Sequence, residues 1–475
     1  MSEKNIQMEN NQPEGLNRNL RLLYVYALAT GAILTFIGYW DTIFMSYCGP
    51  GTWLAFLLMT IIVLPIGFVY CELASLFPRV GGELLYNTIG MNKHMGFWAS
   101  WLIMAAWVTV PASGMMGIIA WVDHVGNFNM TAKDIAIISS VVLVVYTFLS
   151  LNDIQIAGKV QTFMLFGALI GIVLTSIMFF TSPYWSFDNL RPMFRSVLRD
   201  GGMQGWVIGL GLIITPYFGF ETVPQMVEEG TFPIKDSAKA ILGSILTCGA
   251  LYTLFFFALG GMAPWEQLIG LENGVVTKSF ITITLMEDML GWRVWPLLFG
   301  VFAILFTIGT CILGFWISAV RLIYAMGRQN FLPPIWSKVN KHHQPILPNI
   351  FILVISLAFL LIMNSSTFMN DFFNIMSFSC AVAYALTMIS AIRIKQKHPE
   401  WEAPFKLKGG MGMRVLALAF ALLAVLLCAT GLGIGSWKSL GIYLIIGAFL
   451  WMYMVLGRWK SSSVIMYTPD GNKEY

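Results

Sequence analysis

A membrane-length stretch that is written like a helix meant to break most constrains this chain. From Tyr24 to Ser46 the run is long enough to cross a bilayer, for which about 20 apolar residues suffice, yet Gly31, Thr35 and Gly38 weaken its middle. A lone acid, Asp41, follows Gly38 by less than one turn. An ionised carboxylate inside hydrocarbon costs at least ~2.5 kcal/mol on insertion scales, so it is kept where it meets water, a partner or a cargo. Asp41 therefore needs a reason.

The rest of the chain is of the same kind. Of its 475 residues 57% are hydrophobic and only 11% charged, against about 25% charged in soluble domains, so a polytopic, all-α membrane protein is predicted. Apolar runs that can span lie at residues 22–46, 52–76, 95–122, 134–151, 160–181, 203–227, 238–262, 294–324, 347–363, 369–394, 415–433 and 440–456, which makes twelve transmembrane helices. An even count puts both termini on one side. Of the 28 basic residues, the other side holds only Lys133, Arg191, Arg195, Arg199, Lys278, Arg293 and Lys438. By the positive-inside rule both termini are then cytoplasmic, in a cell (cytoplasmic or inner) membrane. Residues 1–21 form a solvated cytoplasmic tail without the apolar region of a signal peptide, residues 22–457 the transmembrane domain, and residues 458–475 a second cytoplasmic tail. The six cysteines lie singly in or beside apolar runs and are expected to be packing residues.

A second interrupted helix lies at residues 203–227. Gly209, Gly211, Pro216 and Gly219 weaken its backbone ladder, and an acid, Glu221, again follows the last glycine closely. Corresponding breaks in helices one and six point to a repeat of five helices. Because five is odd, the second copy enters from the opposite face, so the repeat is inverted, with copies at about 22–181 and 203–394 and helices 11 and 12 at about 413–457. Half-helix ends at such breaks leave bare N–H and carbonyl groups at a depth where lipid cannot satisfy them.

Several stretches carry a family resemblance. C-E-L-A-S-L-F-P-R-V-G-G-E-L-L-Y at 71–86, F-G-F-E-T-V-P-Q-M-V-E-E-G-T-F-P at 218–233, the run from Ser318 to Asn340, and H-P-E-W-E-A-P-F-K at 398–406 resemble the amino acid–polyamine–organocation (APC) transporters. The resemblance implies a LeuT-like fold of two inverted five-helix repeats plus two trailing helices, and secondary transport of amino acids or amines by alternating access. Helix one departs from the pattern: where most relatives have a Gly-Ser-Gly-like break that holds a substrate carboxylate, this chain has Leu34-Thr35-Phe36-Ile37-Gly38-Tyr39-Trp40-Asp41-Thr42. That row is more similar to some putrescine importers, and it raises a cationic amine as cargo. The fifth run, 160–181, lacks the lysine that some proton-coupled members carry.

The expected substrate site comprises Thr35, Gly38, Asp41, Phe218, Gly219, Phe220 and Glu221. Asp41 either pairs with an ammonium or simply touches water, and Glu221 is either a proton carrier or a structural acid. Glu72 and Glu228, with Glu229, are expected to gate or anchor loops beside Arg79, Lys235 and Lys239. Thr307, Thr310 and Ser318 either line a sodium-like site or bond their own backbone. Trp101, Trp107, Ser377 and Tyr384 are further residues that could reach the cavity. No enzymatic activity, cofactor, metal site or nucleic-acid partner is expected, since nucleophile–base pairs, ligand clusters and phosphate loops do not occur in the pattern. The expected partners are an amino acid or amine, a proton or counter-substrate, and membrane lipid. The oligomeric state stays open, and a non-transporting sensor of the same fold is the alternative function.

Overall fold

Glycine and proline placement decides where the apolar runs stop being helices. The computed structural model describes residues 15–152, 154–198, 201–362, 366–456, 464–469 and 473–474. Helix α1 (Leu22–Ile33) ends inside the first run, residues 34–40 are not helical, and α2 (Asp41–Cys48) resumes the path. Gly38 sits in the gap with a φ of 92°, a conformation open to glycine and strained for other residues. There follow α3 (Thr52–Leu76), a short α4 (Gly82–Gly90), α5 (Lys93–Gly126), α6 (Ala132–Ser150) and α7 (Ile154–Phe180). Helix α6 begins with the capping box its sequence announces: Asp134 N–H donates to Thr131 Oγ1 at 3.3 Å, and Thr131 N–H donates back to Asp134 Oδ2 at 2.9 Å.

The second interrupted run also breaks. Helix α8 (Gly202–Leu212) gives way to tight 3₁₀ turns at Thr215–Tyr217 and Phe220–Gln225. Pro216 and Pro224 sit in those turns, where each removes a backbone N–H that a continuing α-helix would use. Beyond are α9 (Ser237–Gly260), the short α10 (Trp265–Ile269) and α11 (Ile281–Asp288), then α12 (Val294–Gly300) joined through a π-helical turn (Val301–Phe306) to α13 (Thr307–Arg328). The chain closes with α14 (Ile346–Ile362), α15 (Ser366–Lys397), α16 (Gly410–Gly431) and α17 (Ile434–Trp451). Among the described residues ten helices are long and apolar enough to cross a membrane, and α1 and residues 346–361 are shorter apolar helices.

Burial places the core. The middle of helix α5 and the stretch 205–225 are almost wholly enclosed, whereas α6, α16 and α17 leave most of their side chains outward, as lipid-facing helices do. Helix α1 lies among α7, α9 and α13, α9 packs along α3, and α15 packs against α5 and α16.

The two ends of the bundle differ. One, the basic end, gathers Arg18, Arg79, Arg321, Arg328 and Arg414. The flanking tails are not simply solvated there. Leu20 is buried, its N–H donates to Glu229 O at 2.8 Å, and Thr231 N–H donates to Leu20 O at 2.8 Å. Near the carboxy terminus Ile465 and Tyr467 are buried too, with the Arg79 guanidinium 4.5 Å from the Tyr467 ring centre. Residues 1–14, 458–463, 470–472 and 475 of the expected tails lie outside the described residues.

Candidate functional site

A helix that stops inside the bundle leaves its last carbonyls without intrahelical partners. At the end of α1 Thr30 O and Ile33 O accept from the N–H groups of Leu34 and Thr35, and all four of its last carbonyls also receive side chains of α9 and α13. Cys248 Sγ donates to Thr30 O at 3.5 Å, Thr310 Oγ1 to Gly31 O at 3.3 Å, Cys311 Sγ to Ala32 O at 3.3 Å, and Tyr252 Oη to Ile33 O at 2.5 Å. Thr35 Oγ1 donates back to Gly31 O at 3.3 Å. A Cβ on Gly38 would come 2.9 Å from Ile304, which belongs to the π-helical turn. Such turns are frequent at functional sites.

The second break meets the first. Phe218 is extended and Gly219 has a φ of 139°. A Cβ on Gly219 would lie 2.8 Å from Ile33 Cγ1 and 2.9 Å from Ala32 Cβ. Only a glycine lets the two interruptions approach this closely.

Glu221 organises what surrounds that contact. One oxygen accepts from Trp107 Nε1 at 3.1 Å; the other accepts from Tyr384 Oη at 2.9 Å and from Gly219 N–H at 2.8 Å. The carboxylate thus ties the break to α5 and α15. Phe220 packs at 5.3 Å against both Tyr70 and Tyr384, and Phe218 lies 6.0 Å from Tyr384. Toward the end opposite the basic one, the Thr215 and Ser377 hydroxyls are hydrogen-bonded to each other. Above them opens a cavity of about 70 Å³ lined by Tyr47, Ile208, Leu212, Ser377 and Gly431.

Asp41 stands apart from this group. It is fully buried in the first turn of α2, where its charge suits the helix N-terminus. One oxygen accepts from Thr42 N–H at 2.8 Å and the other from the Thr282 hydroxyl of α11. Burial and this pairing replace the water contact that was one of the two expected settings.

The remaining acids close the basic end. Glu72 accepts two bonds from Arg414, at 2.5 and 3.1 Å. Glu228 accepts from Arg328 at 2.5 Å and from Val80 N–H at 2.9 Å, and Glu229 is held by Arg321 at 2.7 and 3.0 Å. Their ion pairs are thus with Arg414, Arg328 and Arg321, while the cations expected beside them were Arg79, Lys235 and Lys239. Glu228 shares a cavity of about 300 Å³ with Arg79, but its ion pair is with Arg328, while Lys239 pairs with Asp236.

Phe218, Gly219, Phe220 and Glu221 are thus brought together at the end of α1, with Thr35 and Gly38 in the unwound segment beside them. Asp41 is pinned to α11, and Glu72 and Glu228 lie at the basic end. Thr307 and Ser318 bond backbone carbonyls of their own helix, and Thr310 bonds both Thr307 O and Gly31 O. Trp101 does not reach the break, since its Nε1 donates to Tyr443 O. The fifth long helix starts earlier than expected, at Ile154, and so includes Lys159, which is exposed. Its buried polar residues are Gln161, which donates to Thr310 O at 2.8 Å, and Thr175 and Ser176, which bond carbonyls of their own helix. The residue that sequence reasoning passed over is Glu83. It is buried beside Tyr70 and Gln225, and its one signal was its place directly after the Gly81-Gly82 pair.

Comparison with known proteins agrees with this arrangement. A family described as amino acid permease matches residues 20–456. The chain is 23% identical over 400 residues to the branched-chain amino acid permease BcaP of Bacillus subtilis (strain 168), covering 80% of this chain and 81% of that protein. It is 24% identical over 426 residues to the aspartate-proton symporter of the same organism, covering 86% and 77%. It is 22% identical over 392 residues to the methylthioribose transporter, also from Bacillus subtilis (strain 168), covering 77% and 78%.

Proposed function

Because the chain belongs to the amino acid permease family, we propose that it carries an amino acid or a small cationic amine across the cell membrane by secondary active, alternating-access transport. The observation that carries this reading is the contact of Gly219 with Ala32 and Ile33, where two interrupted helices meet beside the anchored carboxylate of Glu221. Backbone that leaves its helix at this depth is tolerated where it is buried in protein or lines a cavity, and such breaks supply binding groups near mid-membrane. In this proposal twelve spans form two inverted five-helix repeats with two trailing helices, α1 and α14 are the short spans, and the basic end with both termini is cytoplasmic. The Arg321–Glu229 and Arg328–Glu228 pairs are then the inner gate. The Thr215–Ser377 bond and the Asp41–Thr282 bond hold the outer side. Coupling is to protons or to a counter-substrate, and one relative is named as a proton symporter.

The test is a thermal-shift screen of the purified full chain against amino acids and their decarboxylated amines. A solute that binds the folded protein stabilises it by about 2.7 kcal/mol at one hundred times its Kd. At least one of these solutes is expected to raise the melting temperature. If the stabilising solute lacks a carboxylate, Asp41→Asn is expected to remove the shift, because Asp41 then supplies the counter-charge. If it is an amino acid, Asp41→Asn is expected to leave most of the shift intact. A screen in which no solute stabilises the wild-type chain would count against the transport reading.

A further inference from the structure

We propose that Glu83 carries the coupling proton and links it to the inner gate, an inference that rests on the transport reading above. Glu83 lies in the first turn of α4 and is fully buried. One of its oxygens accepts from Tyr70 Oη at 2.9 Å, and the other accepts from Gln225 Nε2 at 3.2 Å. Gln225 Oε1 in turn accepts from Gly81 N–H at 3.1 Å, so one amide side chain clasps α4 to the inner half of the sixth helix. Gln225 and Glu221 belong to the same 3₁₀ turn. Phe220, packed on both Tyr70 and Tyr384, separates the two acids, each of which is bonded to one of those tyrosines.

Two carboxylates enclosed together repel, and a proton on one relieves the other. The cations nearby are engaged elsewhere: Arg321 with Glu229, Arg328 with Glu228, and Arg414 with Glu72. Arg79, close to the start of α4, lies over Tyr467 of the carboxy-terminal segment. Of the two acids, Glu221 is held by three donors, one of them a backbone N–H, and Glu83 by two side-chain donors. The anion is better supported at Glu221, which leaves Glu83 to take the proton. A third group points the same way: the Tyr86 hydroxyl, one turn further along α4, is buried without a hydrogen-bond partner among the described residues, with its ring 6.4 Å from that of Tyr70. It is a donor and acceptor left free beside the acid.

The main-chain carbonyl of Glu83 is tied to α15 through the buried side chains of Asn87, Thr387 and Ser390, with the exposed Lys397 beyond them. Asn87 Nδ2 donates to Glu83 O at 2.8 Å and to Thr387 Oγ1 at 3.0 Å, Ser390 Oγ donates to Asn87 Oδ1 at 2.8 Å, and Lys397 Nζ donates to Gly90 O at 3.2 Å. When the inner half of helix six opens toward the basic face, the proton on the Glu83 carboxyl is released to water there, leaving the carboxylate. The ionised group accepts from Tyr70 and Gln225 together and draws the 3₁₀ turn onto α4. Once protonated it carries a donor of its own and holds Gln225 less well, so the inner half of helix six is freed to move.

The experiment uses the full chain in proteoliposomes, with leucine, glutamate, aspartate, arginine and putrescine as probes. Wild type is expected to accumulate at least one of them under an imposed pH gradient. Glu83→Gln is expected to keep exchange of that solute within about threefold of wild type, while gradient-driven accumulation falls by about tenfold or more. Its exchange is also expected to lose the pH dependence seen in wild type, and Glu83→Asp to restore part of it. Gradient-driven accumulation by Glu83→Gln equal to wild type overturns the proposal. Should that variant not fold, Tyr70→Phe is expected to move the pH midpoint of exchange by about one unit, and an unmoved midpoint overturns it. Failure of wild type to move any of the five probes would count against the transport reading itself. Glu83 is then judged by infrared difference spectra of the purified chain, which need no solute. A protonated-carboxyl band that disappears as pH rises and is missing in Glu83→Gln supports the role, and a band unaffected by that substitution overturns it.

Discussion

Replacing Glu221 with alanine is expected to reduce solute exchange in proteoliposomes by about a hundredfold or more and to lower the melting temperature of the purified chain. The carboxylate is the common acceptor for the Trp107 indole, the Tyr384 hydroxyl and the Gly219 N–H. An orphaned donor in a buried place costs about 1–3 kcal/mol, and alanine orphans all three at once. The damage falls where the two helix interruptions meet, so both positioning and stability suffer. Glu221→Gln keeps one oxygen acceptor but sets an amide NH₂ among donors, and its effect should lie between wild type and alanine. Exchange by Glu221→Ala at the wild-type rate would mean that the cluster around Gly219 takes no part in transport. The pH profile of Glu221→Gln separates this anchoring role from a proton-carrying one. An unchanged profile leaves Glu221 as an anchor, and a flattened one would transfer the coupling role to it from Glu83.

The second large effect is expected at Arg321. Its guanidinium is wholly buried and grips Glu229, 1% exposed, through two bonds, with Gln344 Oε1 accepting a third at 3.0 Å. Removing one member of such a pair strands the other charge and typically costs about 3–5 kcal/mol. Arg321→Met should therefore lower the melting temperature and the yield of monodisperse protein sharply. Replacing both partners, Arg321→Met with Glu229→Met, should recover much of the stability, because no unpaired charge then remains. If the pair is also a gate, the double variant should stay folded yet leak solute down its gradient. A single variant as stable as wild type would show that this pair does not hold the basic end together.

What could be read from the sequence follows from how local its causes are. The span Thr52–Leu76 agrees with its apolar run at both ends because length and hydropathy alone decide it. The breaks in helices one and six were legible as glycines and prolines followed by a buried acid. Their exact form was not, because α1 runs on past Gly31 to Ile33 only where Cys248, Thr310, Cys311 and Tyr252 receive its last carbonyls. Those partners come from runs far along the chain. Likewise the path after α8 is 3₁₀ rather than α, with Pro216 and Pro224 in its two turns.

Charge pairing was the least legible feature. Glu229 and Arg321, or Glu72 and Arg414, meet across long intervals of sequence, and nothing local marks which cation each acid will find. Glu83 was hidden for another reason. It lies on a helix of nine residues, too short to register as a span, in a stretch singled out only for its family resemblance. Fold-level patterns therefore gave Glu72 the prominence that burial gives to Glu83.

The account rests on the solute binding where the two interruptions touch, and Gly219 is the residue that permits the contact. The most direct measurement is equilibrium binding of the stabilising solute to folded, purified wild type and Gly219→Ala, with Gly412→Ala, whose added Cβ meets nothing within 4 Å, as the control. A methyl group at Gly219 presses on Ala32 and Ile33 in a strained conformation, so Gly219→Ala is expected to weaken binding by about tenfold or more while Gly412→Ala binds like wild type. Wild-type affinity in folded Gly219→Ala would place the solute elsewhere and contradict the account.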